Sequence, residues 1–212
     1  GGYRSGLPGG LPDATVRSLA QTPDGSIWAG TRQAGLVRLA PGAKDTVNDT
    51  GTYLYKSANT DVLAFVAEAR GGRALGQWLA DLADAAGVEG ALHVATDRQG
   101  FPLLNGGICL TARDLCRYGA VLGRLGLGVD GRPFGSDPFL RATLAGGISM
   151  PPPRGHLRYS NQTNTNGVWL GHGGYGGQYL ITNPKTGRTA AFLSVLQDTS
   201  GYDPSYYPPI IA

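Results

Sequence analysis

Long apolar runs, clustered metal ligands, paired cysteines and basic runs are all missing from this chain of 212 residues. No stretch approaches the ~18 apolar residues that a membrane-spanning helix requires. Gly1-Gly2-Tyr3-Arg4 lacks the basic-then-apolar order of a secretory leader. Three scattered histidines and two cysteines, without a Cys-x-x-Cys spacing, give no support for a metal site, and no cofactor is expected. The 18 basic residues form no run and no ladder with aromatics, which argues against a nucleic-acid partner. Cys109 and Cys116 leave a disulfide open, with two buried free thiols as the preferred reading.

What remains is globular: 41% hydrophobic and 16% charged residues, enough chain for one domain or one domain with an appendage. Glycine is abundant, with 35 residues at turns and segment ends, more than twice its ordinary share of about 7%. Residues 1–41 read as a separate unit. Pro23-Asp24-Gly25 signals a turn, and Ile27-Trp28 with Leu36-Val37 and Leu39 around Gly35 read as a β-hairpin. The stretch resembles one blade repeat of bacterial sensor β-propellers, but a single copy cannot close a propeller. A hairpin on the edge of a main sheet is therefore expected, with residues 42–212 forming the principal unit.

Helical spacing runs through residues 60–70 (Val62, Phe65, Val66, Ala69) and 74–86 (Leu75, Trp78, Leu79, Leu82, Ala86). Thr111-Ala112-Arg113-Asp114 has the form of a capping box and starts a helix whose inner face is Ala112, Leu115, Cys116, Gly119 and Leu122. Asp137-Pro138 opens another short helix. The last third reads as an antiparallel meander of 168–172, 178–182 and 190–196, with a turn at Asn183-Pro184-Lys185-Thr186-Gly187.

Two segments carry chemistry. Tyr55-Lys56-Ser57-Ala58-Asn59 opens a helix and runs into Thr60-Asp61. Gly171-His172-Gly173-Gly174-Tyr175-Gly176-Gly177-Gln178-Tyr179 opens a strand. A phenol titrates near 10 unaided, so Tyr55 needs a cation or donor beside it to act as a base. Lys56 and Ser57 are adjacent, so their side chains diverge and the lysine cannot take the serine proton. Ser57 is better placed as a helix cap or a hydrogen-bonding member of the motif.

These segments resemble the second and third motifs of the β-lactamase-related serine hydrolases, which also carry a structural Gly-Gly-x-x-x-Thr-x-x-Asp segment like that of Gly106-Gly107 and Thr111-Ala112-Arg113-Asp114. That group includes class C β-lactamases, D-alanyl-D-alanine carboxypeptidases, esterases and 6-aminohexanoate-dimer hydrolases. The resemblance covers about residues 52–207 and implies an α+β fold, an antiparallel sheet flanked by helices, of β-lactamase/transpeptidase type but incomplete. It assigns Tyr55 as proton relay, His172 as donor or positive charge, and the Tyr175 N–H as part of an oxyanion hole. Ser57, Gly173, Gly174 and Gly177 would line the substrate, a small ester, amide or peptide. It also favours a periplasmic or secreted location.

The first motif of that family, Ser-x-x-Lys, is missing: none of the ten serines has lysine three residues on. The reading is thus a hydrolase-type portion, inactive by itself, whose serine comes from another segment or chain. The block that would carry that serine is expected to leave apolar surface uncovered, so a partner chain or a homo-oligomer is also expected. A non-catalytic module binding peptides or cell-wall fragments, or a sensor fragment, are the alternatives. Lys185-Thr186-Gly187 matches a literal Lys-Thr-Gly but sits at a turn and is read as a decoy. Asp97 and His93 are assigned to loop and strand surfaces.

Overall fold

The computed structural model describes residues 16–21, 27–31, 35–39, 57–196, 201 and 203; of 16–39, 57–59 and 62 only the backbone is described. Near the N-terminus, β1 (Val16–Gln21), β2 (Ile27–Thr31) and β3 (Gly35–Leu39) form an antiparallel three-stranded sheet. The expected hairpin is its second half. Among the described residues these strands pair only with each other and do not extend the main sheet.

Four helices follow the expected pattern. α1 (Ser57–Gly71) and α2 (Leu75–Ala86) are joined by a tight turn in which the Glu68 carboxylate accepts the Leu75 N–H at 2.6 Å. Phe65 of α1 meets Phe101 at 5.8 Å, and Asp61 accepts the Asn105 N–H at 3.2 Å, which fixes the loop before Gly106-Gly107. Trp78 is not core: it stays 37% exposed, with the Arg73 guanidinium over its ring. A two-stranded ribbon of β4 (His93–Val94) and β5 (Ile108–Cys109) leads to α3 (Ala112–Gly123) and α4 (Asp137–Ala145). Both cysteines are free thiols, and Cys109 is exposed rather than buried.

The main sheet is an antiparallel meander of six strands. In spatial order it runs from β11 (Arg188–Phe192) through β10 (Tyr179–Asn183), β9 (Leu170–Gly173), β8 (Thr163–Thr165) and β7 (Arg158–Ser160) to β6 (Ile148–Ser149). Each strand pairs with its sequence neighbours, through short turns except for the longer 150–157 link between β6 and β7. α3 crosses β10 and β11, and Gly119 makes the close approach. A Cβ there would lie 2.6 Å from both Leu180 Cδ1 and Thr189 Cγ2. The buried positions of α3 are Asp114, Gly119, Val121 and Gly123. Of the expected apolar stripe only Gly119 is among them, Leu115, Cys116 and Leu122 being half-buried and Ala112 exposed, because the glycines make the close approach to the sheet. Leu157, Leu170, Leu180, Met150 and Tyr179 fill the core; each buried leucine contributes about 2 kcal/mol.

β11 stops at Phe192, short of the expected residue 196, because the chain beyond it turns onto the glycine segment. Gln178 Nε2 donates to the Ser194 carbonyl at 2.7 Å, and Leu196 N–H donates to the Gly176 carbonyl at 3.2 Å. Phe192, Leu193 and Val195 at this end are 46, 41 and 83% exposed.

Candidate active site

Tyr55 lies outside the described residues, and of Ser57 only the backbone is described, as the first residue of α1. His172 stands on β9, opposite Leu180 of β10, and is half-buried. Between the start of α1 and His172 runs a path of side-chain contacts. Thr60, in the first turn of α1, donates its hydroxyl to Gln162 Oε1 at 3.1 Å. The Tyr159 hydroxyl of β7 donates to the same oxygen at 2.9 Å. The Tyr159 ring meets the His172 imidazole edge-on, with centroids 5.9 Å apart and planes at 73°. The motif-bearing helix and the histidine strand are thereby tied through three side chains.

His172 Nδ1 lies 2.7 Å from the Gly173 carbonyl. A carbonyl oxygen can only accept, so Nδ1 carries the proton in either charge state and Nε2 is the nitrogen that titrates. Burial depresses the imidazole's pKa below 6.5; the Gly173 hydrogen bond partly offsets this, and repulsion from the Arg154 guanidinium adds to it. At neutral pH the ring is uncharged with Nε2 as an acceptor. The donor or cationic role expected from the motif is therefore available only after protonation, which burial opposes.

The glycine segment after His172 turns instead of continuing the strand. Gly174 N–H donates to the Gln178 carbonyl at 2.7 Å and Gly177 N–H to the Gly174 carbonyl at 3.1 Å, leaving Tyr175 at the tip, 75% exposed. The Tyr175 carbonyl accepts the Gly201 N–H at 2.7 Å. The expectation that Gly174 makes room for substrate meets a different occupant: a Cβ there would lie 2.4 Å from Gln178 Oε1. Gly173 and Gly177 are buried at the two ends of the turn.

Elsewhere the sequence readings meet plain structural roles. Lys185-Thr186-Gly187 forms the β10–β11 turn, where Asn183 Oδ1 accepts the N–H groups of Lys185 and Thr186 at 2.9 and 3.2 Å. His93 is exposed, and Asp97 binds the N–H groups of Gln99 and Phe101 in its own loop. Asp114 is 2% exposed and takes donors from Glu89 N, Gly90 N, Thr111 Oγ1 and Arg117. These hold its carboxyl down to about 2, the Glu89 N–H contributing most. Asp114 does close the cap on Thr111, through the hydroxyl and its own N–H at 3.1 Å. Two open depressions, of about 320 and 500 Å³, flank α2 and include neither His172 nor Tyr159 in their walls. Among the described residues no group of three His, Cys, Asp or Glu side chains could hold a metal, and no helix is long and apolar enough to cross a membrane.

Tyr159 and Gln162, which contact the candidate residue His172 directly and through Tyr159, are the neighbours that sequence reasoning missed. The only signal was Asn161, a turn former placed between two short polar strands.

The comparisons agree with this architecture. The β-lactamase family model matches residues 3–207. A 6-aminohexanoate-dimer hydrolase of Paenarthrobacter ureafaciens is 38% identical over 102 residues, 46% of this chain and 25% of that protein. A putative 6-aminohexanoate-dimer hydrolase from Bacillus anthracis shares the fold with a TM-score of 0.65 at 20% identity, over 83% of this chain and 45% of that one. The chain thus spans a quarter of the curated relative and under half of the solved structure.

Proposed function

The chain belongs to the β-lactamase family, and on that premise we propose that it carries the proton-handling part of a serine-hydrolase site. Tyr55 is the relay, His172 its acceptor, and the Tyr175 N–H an oxyanion donor. The serine comes from a segment or chain outside these residues, since Ser-x-x-Lys is absent from them.

In this reading the serine hydroxyl attacks an ester or amide carbonyl. Its proton passes to the Tyr55 oxygen while the phenolic proton passes to His172 Nε2. The Tyr175 N–H stabilises the oxyanion. Collapse expels the alcohol or amine, which takes the proton back along the same path and leaves an acyl-enzyme for water to hydrolyse. Ser57, Gly173 and Gly177 border the substrate, whereas Gly174 accommodates Gln178. Small amides are the proposed substrate class, after the 6-aminohexanoate dimer named for the Paenarthrobacter relative.

The observation that supports this most is the Thr60–Gln162–Tyr159–His172 path, which joins the first turn of α1 to the imidazole. The purified chain is expected to form no covalent adduct with a fluorophosphonate or a penicillin, read by intact mass. The linear 6-aminohexanoate dimer is expected to shift the His172 imidazole resonances. An adduct contradicts the missing nucleophile, and unmoved resonances contradict the substrate site. The lack of Ser-x-x-Lys equally favours a binding module that never reacts; a Ser-x-x-Lys elsewhere in the same reading frame decides for the hydrolase.

A further inference from the structure

The turn between β7 and β8 consists of Asn161 and Gln162, both left-handed, with φ of 46° and 61°. Two such residues in a row are the geometry of a two-residue hairpin turn, which glycine and asparagine accept readily and glutamine does not. The backbone strain coincides with what the two side chains reach. Asn161 Nδ2 donates to Thr143 Oγ1 of α4 at 2.9 Å. Gln162 Oε1 accepts Thr60 of α1 and Tyr159 of β7 together. Glycine at 162 would satisfy the turn and lose the oxygen.

We propose that Gln162 is a positioning residue: its side-chain oxygen, shared by Thr60 and Tyr159, locks the first turn of α1 onto the strand of His172 and fixes the imidazole against the Tyr159 ring. This rests on the reading of His172 as the proton acceptor of the site. Launched from its left-handed backbone, the Gln162 side chain brings one oxygen to 3.1 Å from the Thr60 hydroxyl and 2.9 Å from that of Tyr159. Strain of this kind persists where the surrounding contacts over-determine it.

The test uses imidazole NMR on the full chain, in which His93, His156 and His172 are the only histidines. Gln162→Gly relaxes the turn but removes the acceptor of two hydroxyls, opposing effects that should leave Tm little changed. Yet it should move the His172 resonances and bring its titration up toward 6.5 as the ring becomes hydrated, with Arg154 still beside it. Tyr159→Phe, which keeps the ring and removes the donor, should move His172 in the same direction by a smaller amount. Thr60→Val should move it as well, through Gln162. His93 and His156 should not respond in any of the three. If His172 titrates as in the parent in both Gln162→Gly and Tyr159→Phe, Gln162 only shapes a turn and the proposal falls. A shift on Gln162→Gly with none on Tyr55→Phe keeps Gln162 in this role but removes the Tyr55 pairing on which the functional reading stands.

Discussion

Asp114 and His172 each anchor a polar cluster, and each titrates below its ordinary value, but for opposite reasons. Around Asp114, backbone N–H groups, the Thr111 hydroxyl and Arg117 converge on the charged form and stabilise it. Around His172, burial removes water from the charged form and Arg154 repels it. The first cluster is a joint between the start of α3 and the 89–90 segment, in which four donors end on the Asp114 carboxylate. The second holds a half-buried imidazole packed edge-on against Tyr159, which the strained 161–162 turn is proposed to orient. A group stabilised as an ion holds the fold together; a group kept neutral by burial presents a lone pair at neutral pH, although burial opposes its protonation. The same direction of shift thus has a structural cause in one place and, in the proposed reading, belongs to a chemical site in the other.

The largest effect expected is at the joint. Asp114→Ala strands the N–H groups of Glu89 and Gly90 and leaves Arg117 without its buried partner, and should lower Tm by roughly 10 °C, measured by circular dichroism. Asp114→Asn separates charge from shape. Asp114 titrates near 2 when folded against 3.8 ordinarily, so its contribution is complete above about 4 and is lost as pH falls toward 2. Asp114→Asn should erase that acid limb from a urea-unfolding series; an unchanged limb would show that the four donors do not hold the charge.

His172 produces the next effect, in a different window. Its folded pKa is depressed, so below 6.5 the unfolded chain binds the proton first and stability declines with falling pH. His172→Gln should flatten the profile between 6.5 and the start of the Asp114 limb. A profile identical to the parent there would remove the burial argument and break the contrast between the two clusters.

Smaller effects come from the β10–β11 turn. Gly187 has a φ of 70° with open space around it, so Gly187→Ala should cost only the left-handed penalty of about 1 kcal/mol by urea denaturation. Lys185→Ala should change neither stability nor the response of His172 to the linear dimer. A loss of that response would make Lys-Thr-Gly part of the site after all.

The two turns also show what was legible in the sequence. Lys185-Thr186-Gly187 matches a catalytic motif letter for letter, yet Asn183, Pro184 and Gly187 announce a turn, and a turn is what it forms. At 161–162 no motif stands out, because glutamine is not a turn residue and its left-handed backbone leaves no compositional trace. The helices were legible from period and caps: Thr111 caps α3, and Pro138 opens α4 behind Ser136. β9, β10 and β11 were legible from alternation bounded by glycine and Asn-Pro. β6, β7 and β8, at two or three residues each, are too short for alternation to register, and the site's missed residues lie on and between them. The buried carboxylate of Asp114 broke the apolar pattern of α3 for the same physical reason that it matters: its burial is supported by donors, not by hydrophobicity.

The central claim is that the phenol of Tyr55 and the imidazole of His172 share one groove. Titration of His172 by imidazole NMR in Tyr55→Phe, with Tyr53→Phe as the control, tests it most directly. The account predicts a displaced His172 titration in the first variant and the parent curve in the second. Identical curves in both would separate the two residues and contradict it.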